Sequence, residues 1–169
     1  GLWKNIKWII PTTKFQYDKI VDEIKNNELS KNVNVIILSD NYDIFKCADI
    51  AIACSGTITL ELVLFKIPTI AVYKTDFLSS FIGRMLVDFK NVLLPNFILQ
   101  RKLVPLLFQE KCQFKHINKF LLENIDQIES KKKIFQDASK EIIKIKNNTK
   151  IKKNNNFASM SSIKIMSII

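Results

Sequence analysis

The sequence predicts an α/β protein in which helices flank a parallel sheet. Short runs rich in β-branched residues alternate with segments whose apolar residues recur at helical spacing. Helices of this size can cross back over a sheet and place successive strands in parallel. A length of 169 residues, with 47% hydrophobic and 25% charged residues, fits one soluble domain with its own core.

Strands and helices are predicted to alternate from the start of the chain. The run 33–38 is β-branched, whereas 15–26 carries apolar residues on one helical face with lysines and acids opposite. Pro11 is expected to end the first strand, and a turn is expected at 39–41. The predicted strands are 6–10, 33–38, 50–54 and 69–73, and the predicted helices are 15–26, 42–48 and 57–66.

The second half of the chain is predicted to be mainly helical. One stripe of 77–89 is apolar, which predicts a helix packed on the sheet or, alternatively, one that contacts a membrane surface. Further helical patterns cover 103–108, 114–128 and 131–146. The polar, low-complexity composition after residue 146 indicates a linker. The predicted organisation is a main domain at 1–146, a linker at 147–156 and a C-terminal helix at 157–169.

The net charge of +10 is concentrated near the C-terminus. Residues 131–153 hold nine lysines, and lysine outnumbers arginine 24 to 2 in the whole chain. Arginine is the usual residue for bidentate recognition of phosphates and bases, so no nucleic-acid partner is expected. The lysine run predicts a solvated helix face or, alternatively, a basic module that binds RNA or anionic lipid.

The cysteines and the hydropathy of the chain argue against a metalloprotein, a disulfide-rich protein and a membrane-spanning protein. Cys47, Cys54 and Cys112 contain no C-x-x-C pair and are expected to be buried thiols in a reducing cytoplasm, with no metal or cofactor. His116 is given no catalytic role. No apolar run approaches the roughly 18–20 residues that cross a bilayer, and the start lacks a signal peptide. Because the chain begins at Gly1 rather than Met, we expect it to be part of a longer protein.

The stretch Ser55-Gly56-Thr57 is the strongest candidate for a binding site. It follows an apolar strand and opens a strongly apolar helix. A small-residue turn at a helix N-terminus presents unpaired backbone N–H groups beside the positive end of the helix dipole. This arrangement most often binds a phosphate or diphosphate.

Glu61 is the one acid in that apolar helix. It lies one turn after Thr57 on the same side, and its spacing does not fit a capping box, which needs the acid three residues after the cap. Two interpretations stay open. Glu61 faces a cleft at the carboxyl ends of the strands, where it would bond ribose hydroxyls, or it is a surface glutamate behind a plain helix cap.

These and later motifs resemble the lipid-A-disaccharide synthases, over roughly residues 6–169. The run Leu94-Pro95-Asn96 followed by Val104-Pro105 is more particular than the Ser-Gly-Thr turn, which recurs in many glycosyltransferases. The other matching residues are Ala48-Asp49, Leu60-Glu61, Pro68, Tyr73-Lys74, Gln109-Glu110 and the tail from Ser159 to Ile169.

The resemblance implies the C-terminal, donor-binding half of a GT-B fold, with a Rossmann-like sheet whose first βα unit is missing. Such enzymes of Gram-negative bacteria transfer 2,3-diacylglucosamine from its UDP derivative to 2,3-diacylglucosamine 1-phosphate and release UDP. The resemblance further implies a cytoplasmic protein, peripheral at the inner membrane, without cofactor or metal, and it allows a homodimer. The alternatives are another nucleotide-sugar GT-B enzyme or epimerase, or the basic interaction module described above.

Site roles are implied by the same resemblance. Ser55, Gly56 and Thr57 would bind the diphosphate, and Glu61 would bind the ribose. The residues expected to line the donor pocket are Tyr73, Lys74, Asn96 and Gln109.

Two departures from the family pattern predict that the chain alone is catalytically inactive. The family's Gly-Ser-Arg loop and its acceptor domain, which would supply the catalytic base, are absent from the sequence. Leu106 stands where the family usually has a glutamate. That exchange would remove a charge-assisted hydrogen bond, worth about 1.5–3 kcal/mol where one is made.

Overall fold

The computed structural model describes residues 6–26, 32–37, 43–54, 56–74 and 93–151, and side chains up to residue 148. The chain divides into two compact units, Gly1–Lys46 and Cys47–Ile169. The predicted turn at 39–41, the predicted helix at 77–89 and the predicted C-terminal helix at 157–169 lie outside the described residues.

The described residues of the first unit form one pair of parallel strands and two helices. The strands pair in register from Trp8 opposite Val33 to Thr12 opposite Ile37. The elements are β1 (Trp8–Thr12), α1 (Lys14–Asn26), β2 (Val33–Ile37) and α2 (Asp43–Lys46).

Pro11 lies inside β1, so the prediction that it ends the strand was wrong. Within the described residues β1 pairs with β2 alone. Alternate residues of such a strand direct their N–H groups away from the partner, and a proline at one of those positions removes no inter-strand hydrogen bond.

The second unit contains a three-stranded parallel sheet in the order β3-β4-β5. The central strand β4 has its first three residues buried, as expected for a strand with neighbours on both sides. The elements are β3 (Ala51–Cys54), α3 (Thr57–Leu64), β4 (Thr69–Tyr73), α4 (Leu94–Leu99), β5 (Leu106–Phe108), α5 (Phe114–Ile125) and α6 (Ile128–Ile151). The predicted α/β class with parallel strands and flanking helices is confirmed.

Helix α3 ends in a pair of backbone hydrogen bonds typical of a Schellman motif. Lys66 N–H donates to the Val63 carbonyl at 2.9 Å, and Ile67 N–H donates to the Leu62 carbonyl at 3.0 Å. Lys66 adopts the left-handed conformation that this motif requires, with φ of 66°. The helix therefore stops before Lys66, and Pro68, two residues later, leads into β4.

The core of the second unit joins α3, α4, β4 and α6. Side chains from all four elements are less than a tenth exposed and form one cluster. In addition, the buried Ser139 hydroxyl on α6 donates to the Leu64 carbonyl at 3.2 Å, at the end of α3. The cluster consists of Leu60, Val63, Ala71, Leu93, Leu99, Val104, Phe135, Ala138 and Ile142.

Two predictions for the second half need correction. The helical pattern at 103–108 was wrong, because Leu106–Phe108 form strand β5 beside β4. A short apolar run cannot be assigned by periodicity alone, and Pro105 just before it favours the extended chain. The lysine-rich helix runs to Ile151, so residues 147–151 of the predicted linker are helical. The domain boundaries at 146 and 156 stay predictions.

The prediction of buried thiols was also wrong. Cys47 and Cys54 are exposed, and Cys112 is half-buried. Cys54 alternates with the buried Ala53 along β3, so the pleat turns its side chain away from the core.

In the described part of the chain, no helix combines the length and the apolar character needed to cross a membrane.

Candidate functional site

The carboxyl ends of three parallel strands form one edge of the second unit. Cys54 of β3 is opposite Val72 of β4, and Tyr73 of β4 is opposite Phe108 of β5. Chain segments that leave these strand ends therefore emerge at the same edge. The predicted site residues that follow β3, β4 and β5 there are Gly56, Thr57, Lys74 and Gln109. Ser55 lies outside the described residues.

The N-terminus of α3 opens onto this edge without a side-chain cap. Gly56 is the N-cap residue, with φ of 144° and ψ of −163°, and among the described residues no side chain caps the first helical N–H groups. The Thr59 hydroxyl instead donates to the Gly56 carbonyl at 2.8 Å. A β-carbon added at Gly56 would meet no atom of the described residues within 4 Å, apart from its chain neighbours, so the described part of the chain leaves open space beside the cap. The first-turn donors and the helix dipole thus favour an anion here.

Glu61 lies on the accessible face of α3. Thr57, one turn earlier, is exposed, and Glu61 is partly exposed, whereas the opposite face of the helix is buried. Residues four apart in a helix share a face, so both side chains belong to one stripe that starts at the helix mouth. The buried residues on the other face are Thr59, Leu60, Leu62 and Val63.

An aromatic pair borders the same edge. The rings of Tyr73 and Phe108 stack with centroids 5.9 Å apart and planes 7° apart. Tyr73 is 41% exposed, so one end of this stack faces solvent. Phe108 was missed from the sequence because the run 103–108 was assigned to a helix. Phe108 directly precedes Gln109, a predicted pocket residue, and this position could have indicated that it lies near the site.

Lys74 and Gln109 leave the sheet directly after the aromatic pair. Lys74 is exposed, and Gln109 is partly exposed. Gln109 has φ of 50°, and its carbonyl accepts a hydrogen bond from Cys112 N–H at 2.9 Å. The left-handed backbone at Gln109 turns the chain out of β5 into a short 3-10 helix, Gln109–Lys111.

Asn96 occupies a different environment from the other predicted site residues. It lies near the start of α4 and is 4% exposed. Its Oδ1 accepts hydrogen bonds from Leu103 N–H at 2.9 Å and Val104 N–H at 2.8 Å, and its Nδ2 donates to the Val104 carbonyl at 2.8 Å. The structure thus places the Asn96 amide against the loop that precedes β5.

Leu106 opens β5 at the end of the strand remote from the candidate site. It is opposite Ala71 in the register and packs against the core of the second unit. A leucine at this position therefore contributes apolar packing.

Comparison with known proteins identifies relatives over most of the chain. The sequence matches the family described as lipid-A-disaccharide synthetase over residues 2–161. It is 29% identical to the lipid-A-disaccharide synthase of Wigglesworthia glossinidia brevipalpis over 142 residues, which covers 82% of this chain and 37% of that protein. It is 33% identical to the enzyme of the same name from Nitrobacter winogradskyi over 107 residues, covering 63% of this chain and 27% of that protein.

A third relative shows higher identity over a shorter stretch. The lipid-A-disaccharide synthase of Rickettsia conorii is 37% identical over 90 residues, which covers 53% of this chain and 20% of that protein. The chain therefore spans between a fifth and two fifths of the length of the curated relatives it matches.

Proposed function

The chain belongs to the lipid-A-disaccharide synthetase family, and we propose that it is the donor-binding part of a glycosyltransferase. The proposed reaction transfers 2,3-diacylglucosamine from its UDP derivative to 2,3-diacylglucosamine 1-phosphate and releases UDP. The observation that carries the proposal is the uncapped N-terminus of α3 at the carboxyl edge of a parallel sheet.

In this proposal the diphosphate of the donor binds at the mouth of α3. The N–H groups of Gly56 and Thr57 lie beside the positive end of the helix dipole, and Ser55 would add a hydroxyl from the preceding turn. Gly56 leaves open space where a larger residue would carry a side chain.

The nucleoside lies further along the same helix face. Glu61, one turn beyond Thr57, accepts hydrogen bonds from the ribose hydroxyls through its carboxylate. Tyr73, Lys74 and Gln109 border the pocket from the ends of β4 and β5.

The chemistry that this arrangement supports is stabilisation of the departing nucleotide. When the acceptor hydroxyl attacks C1 of the sugar, the bond from C1 to the diphosphate oxygen breaks and negative charge collects on UDP. Fixed N–H donors and a helix dipole stabilise that charge without reorganising during the reaction. The base that accepts the hydroxyl proton is assigned to a part of the enzyme outside this chain.

Titration of the 169-residue chain with UDP, uridine and inorganic pyrophosphate tests the assignment. Thr57→Val is expected to weaken UDP and pyrophosphate binding, because both ligands carry the diphosphate. Glu61→Ala is expected to weaken UDP and uridine about tenfold or more and to leave pyrophosphate unchanged, because the lost bonds go to the ribose.

Glu123→Ala is the matched control, since Glu123 is an exposed acid on α5 paired only with Lys119 at 3.7 Å among the contacts of the described residues. It should leave all three affinities unchanged. Unchanged UDP binding in both site variants would remove the site assignment.

Membrane contact and assembly belong to the same proposal. Both substrates carry acyl chains, so the complete enzyme would act as a peripheral protein at the cytoplasmic face of the inner membrane. A homodimer stays a prediction.

A further inference from the structure

Both the oxygen and the nitrogen of the Asn96 amide form hydrogen bonds to the backbone of the loop between α4 and β5. One oxygen accepts two backbone N–H groups, those of Leu103 and Val104, and the amide nitrogen returns a hydrogen bond to the Val104 carbonyl. Asn96 is 4% exposed and Val104 is 0% exposed, and the bond from Leu103 is partly buried. Hydrogen bonds in such surroundings are costly to leave unmade.

The loop that Asn96 bonds, residues 100–105, leads directly into strand β5. Pro105 follows Val104, and its carbonyl accepts a hydrogen bond from Ala71 N–H of β4 at 2.9 Å. The next three residues form β5, which ends with Phe108 opposite Tyr73. Gln109 comes next, at the edge that forms the proposed donor site.

Strand β5 is short, and its first residue, Leu106, packs against the core of the second unit. The strand contains three residues, all partly exposed, and within the described chain it pairs with β4 alone. We propose that Asn96 is a positioning residue of the proposed donor site, which holds β5 in register and so sets where Phe108 and Gln109 stand beside Tyr73. This inference rests on the proposed function for its ligand, but its structural part can be tested separately.

The amide is the side-chain group that fits this task. Aspartate would keep the acceptor for both N–H groups, but it would place a carboxylate against the Val104 carbonyl and lose the donated bond. Alanine would leave all three backbone groups without their partner. In this arrangement the Asn96 amide affects binding of the nucleotide-sugar through the position of β5 and does not contact that ligand.

The first test follows the wild-type chain by NMR during a UDP titration. We expect UDP to shift the backbone amide resonances of Gly56, Thr57 and Gln109 and to leave the side-chain NH2 resonance of Asn96 in place. A large shift of that NH2 resonance on UDP binding would overturn the inference, because it would indicate direct contact. The absence of any UDP-dependent shift would reject the proposed function and leave the positioning role to the second test.

The second test compares Asn96→Ala and Asn96→Asp with Gln100→Ala. Gln100 is the control because its exposed side chain donates to the Phe97 carbonyl at 2.6 Å, at the start of the same loop. The readouts are hydrogen exchange of the Ala71 amide, which donates to the Pro105 carbonyl, and the ring-current shift of Tyr73 caused by the Phe108 ring.

We expect both Asn96 variants to accelerate Ala71 exchange, to diminish the ring-current shift and to weaken UDP binding about tenfold, whereas Gln100→Ala changes none of these. Unchanged Ala71 exchange and an unchanged Tyr73 shift in a folded Asn96 variant would overturn the inference. If both variants fail to fold, the wild-type NH2 measurement still decides between positioning and contact.

Discussion

A residue with positive φ flanks each end of α3, and only one of the two is a glycine. Gly56 at the N-terminal end has φ of 144°, a region that only glycine enters without strain. Lys66 just past the C-terminal end has φ of 66°, where glycine is again the preferred residue but lysine is present. Backbone strain is thus avoided at the proposed ligand-binding end and accepted at the other.

This contrast predicts opposite effects on stability for two substitutions. Gly56→Ala should lower the free energy of unfolding by about 1–3 kcal/mol from backbone strain, because the added methyl meets no described neighbour within 4 Å. Lys66→Gly should raise it by about 0.5–1 kcal/mol, since relief of left-handed strain exceeds the extra entropy of glycine in the unfolded chain. Urea unfolding followed by circular dichroism measures both changes. Equal stability of the two variants and the wild type would contradict the assigned backbone conformations.

The residues of the candidate site differ in how far the sequence could predict them. The shared face of Thr57 and Glu61 depends on local pattern, so helical spacing was sufficient to predict it. The role of Asn96 depends on backbone groups seven and eight residues away in an irregular loop. No periodicity connects those positions, and a pocket role was assigned by resemblance alone.

Among the elements, α6 shows that a lysine-rich helix can be part of a core. Its inner face buries Phe135, Ala138 and Ile142 against α3 and α4, and Ser139 bonds the end of α3. Its outer face carries the charge. The frequency of lysine predicted only a solvated face. The apolar residues at helical spacing between the lysines form the opposite face, which packs in the core.

Neighbouring positions on α6 should therefore respond very differently to truncation. Phe135→Ala is expected to lower the free energy of unfolding by about 3–5 kcal/mol, because Phe135 is 5% exposed and its loss opens a cavity in the core. Ile134→Ala is the control, and its effect should stay below about 1 kcal/mol because Ile134 is 50% exposed. Thermal and urea unfolding of both variants measure the difference. Similar losses at the two positions would mean that α6 does not pack as described.

The elements also show where pattern analysis was insufficient. Strands β2, β3 and β4 were predicted to within one residue at each end, because short apolar runs, β-branched in β2 and β4, differ clearly from the helical patterns around them. Strand β5 was assigned to a helix, since three residues carry no readable period and its strand character comes from pairing with β4. Tertiary pairing decided the conformation there.

For the molecule as a whole, the net charge of +10 raises the question whether basicity itself is functional. Two lysines of α6 are engaged in solvent-accessible ion pairs among the described residues, Lys132 with Asp49 and Lys140 with Asp137. Exposed pairs of this kind contribute about 0–1 kcal/mol each and do not need an external partner. A dedicated basic module would instead depend on the α6 lysines more than on lysines elsewhere.

Salt-dependent retention on heparin distinguishes these cases with charge-matched variants. Lys133 and Lys144 are exposed on α6, and Lys14 and Lys25 are exposed on α1, so each double substitution to glutamine removes the same charge from one helix. We expect the two double variants to elute equally early relative to the wild type and to retain wild-type UDP affinity, because their lysines contribute only to the total charge. If the α6 variant alone lost retention, with the slope of log affinity against log salt reduced by about 2, α6 would be a nucleic-acid or anionic-lipid module and the charge would have a function separate from sugar transfer.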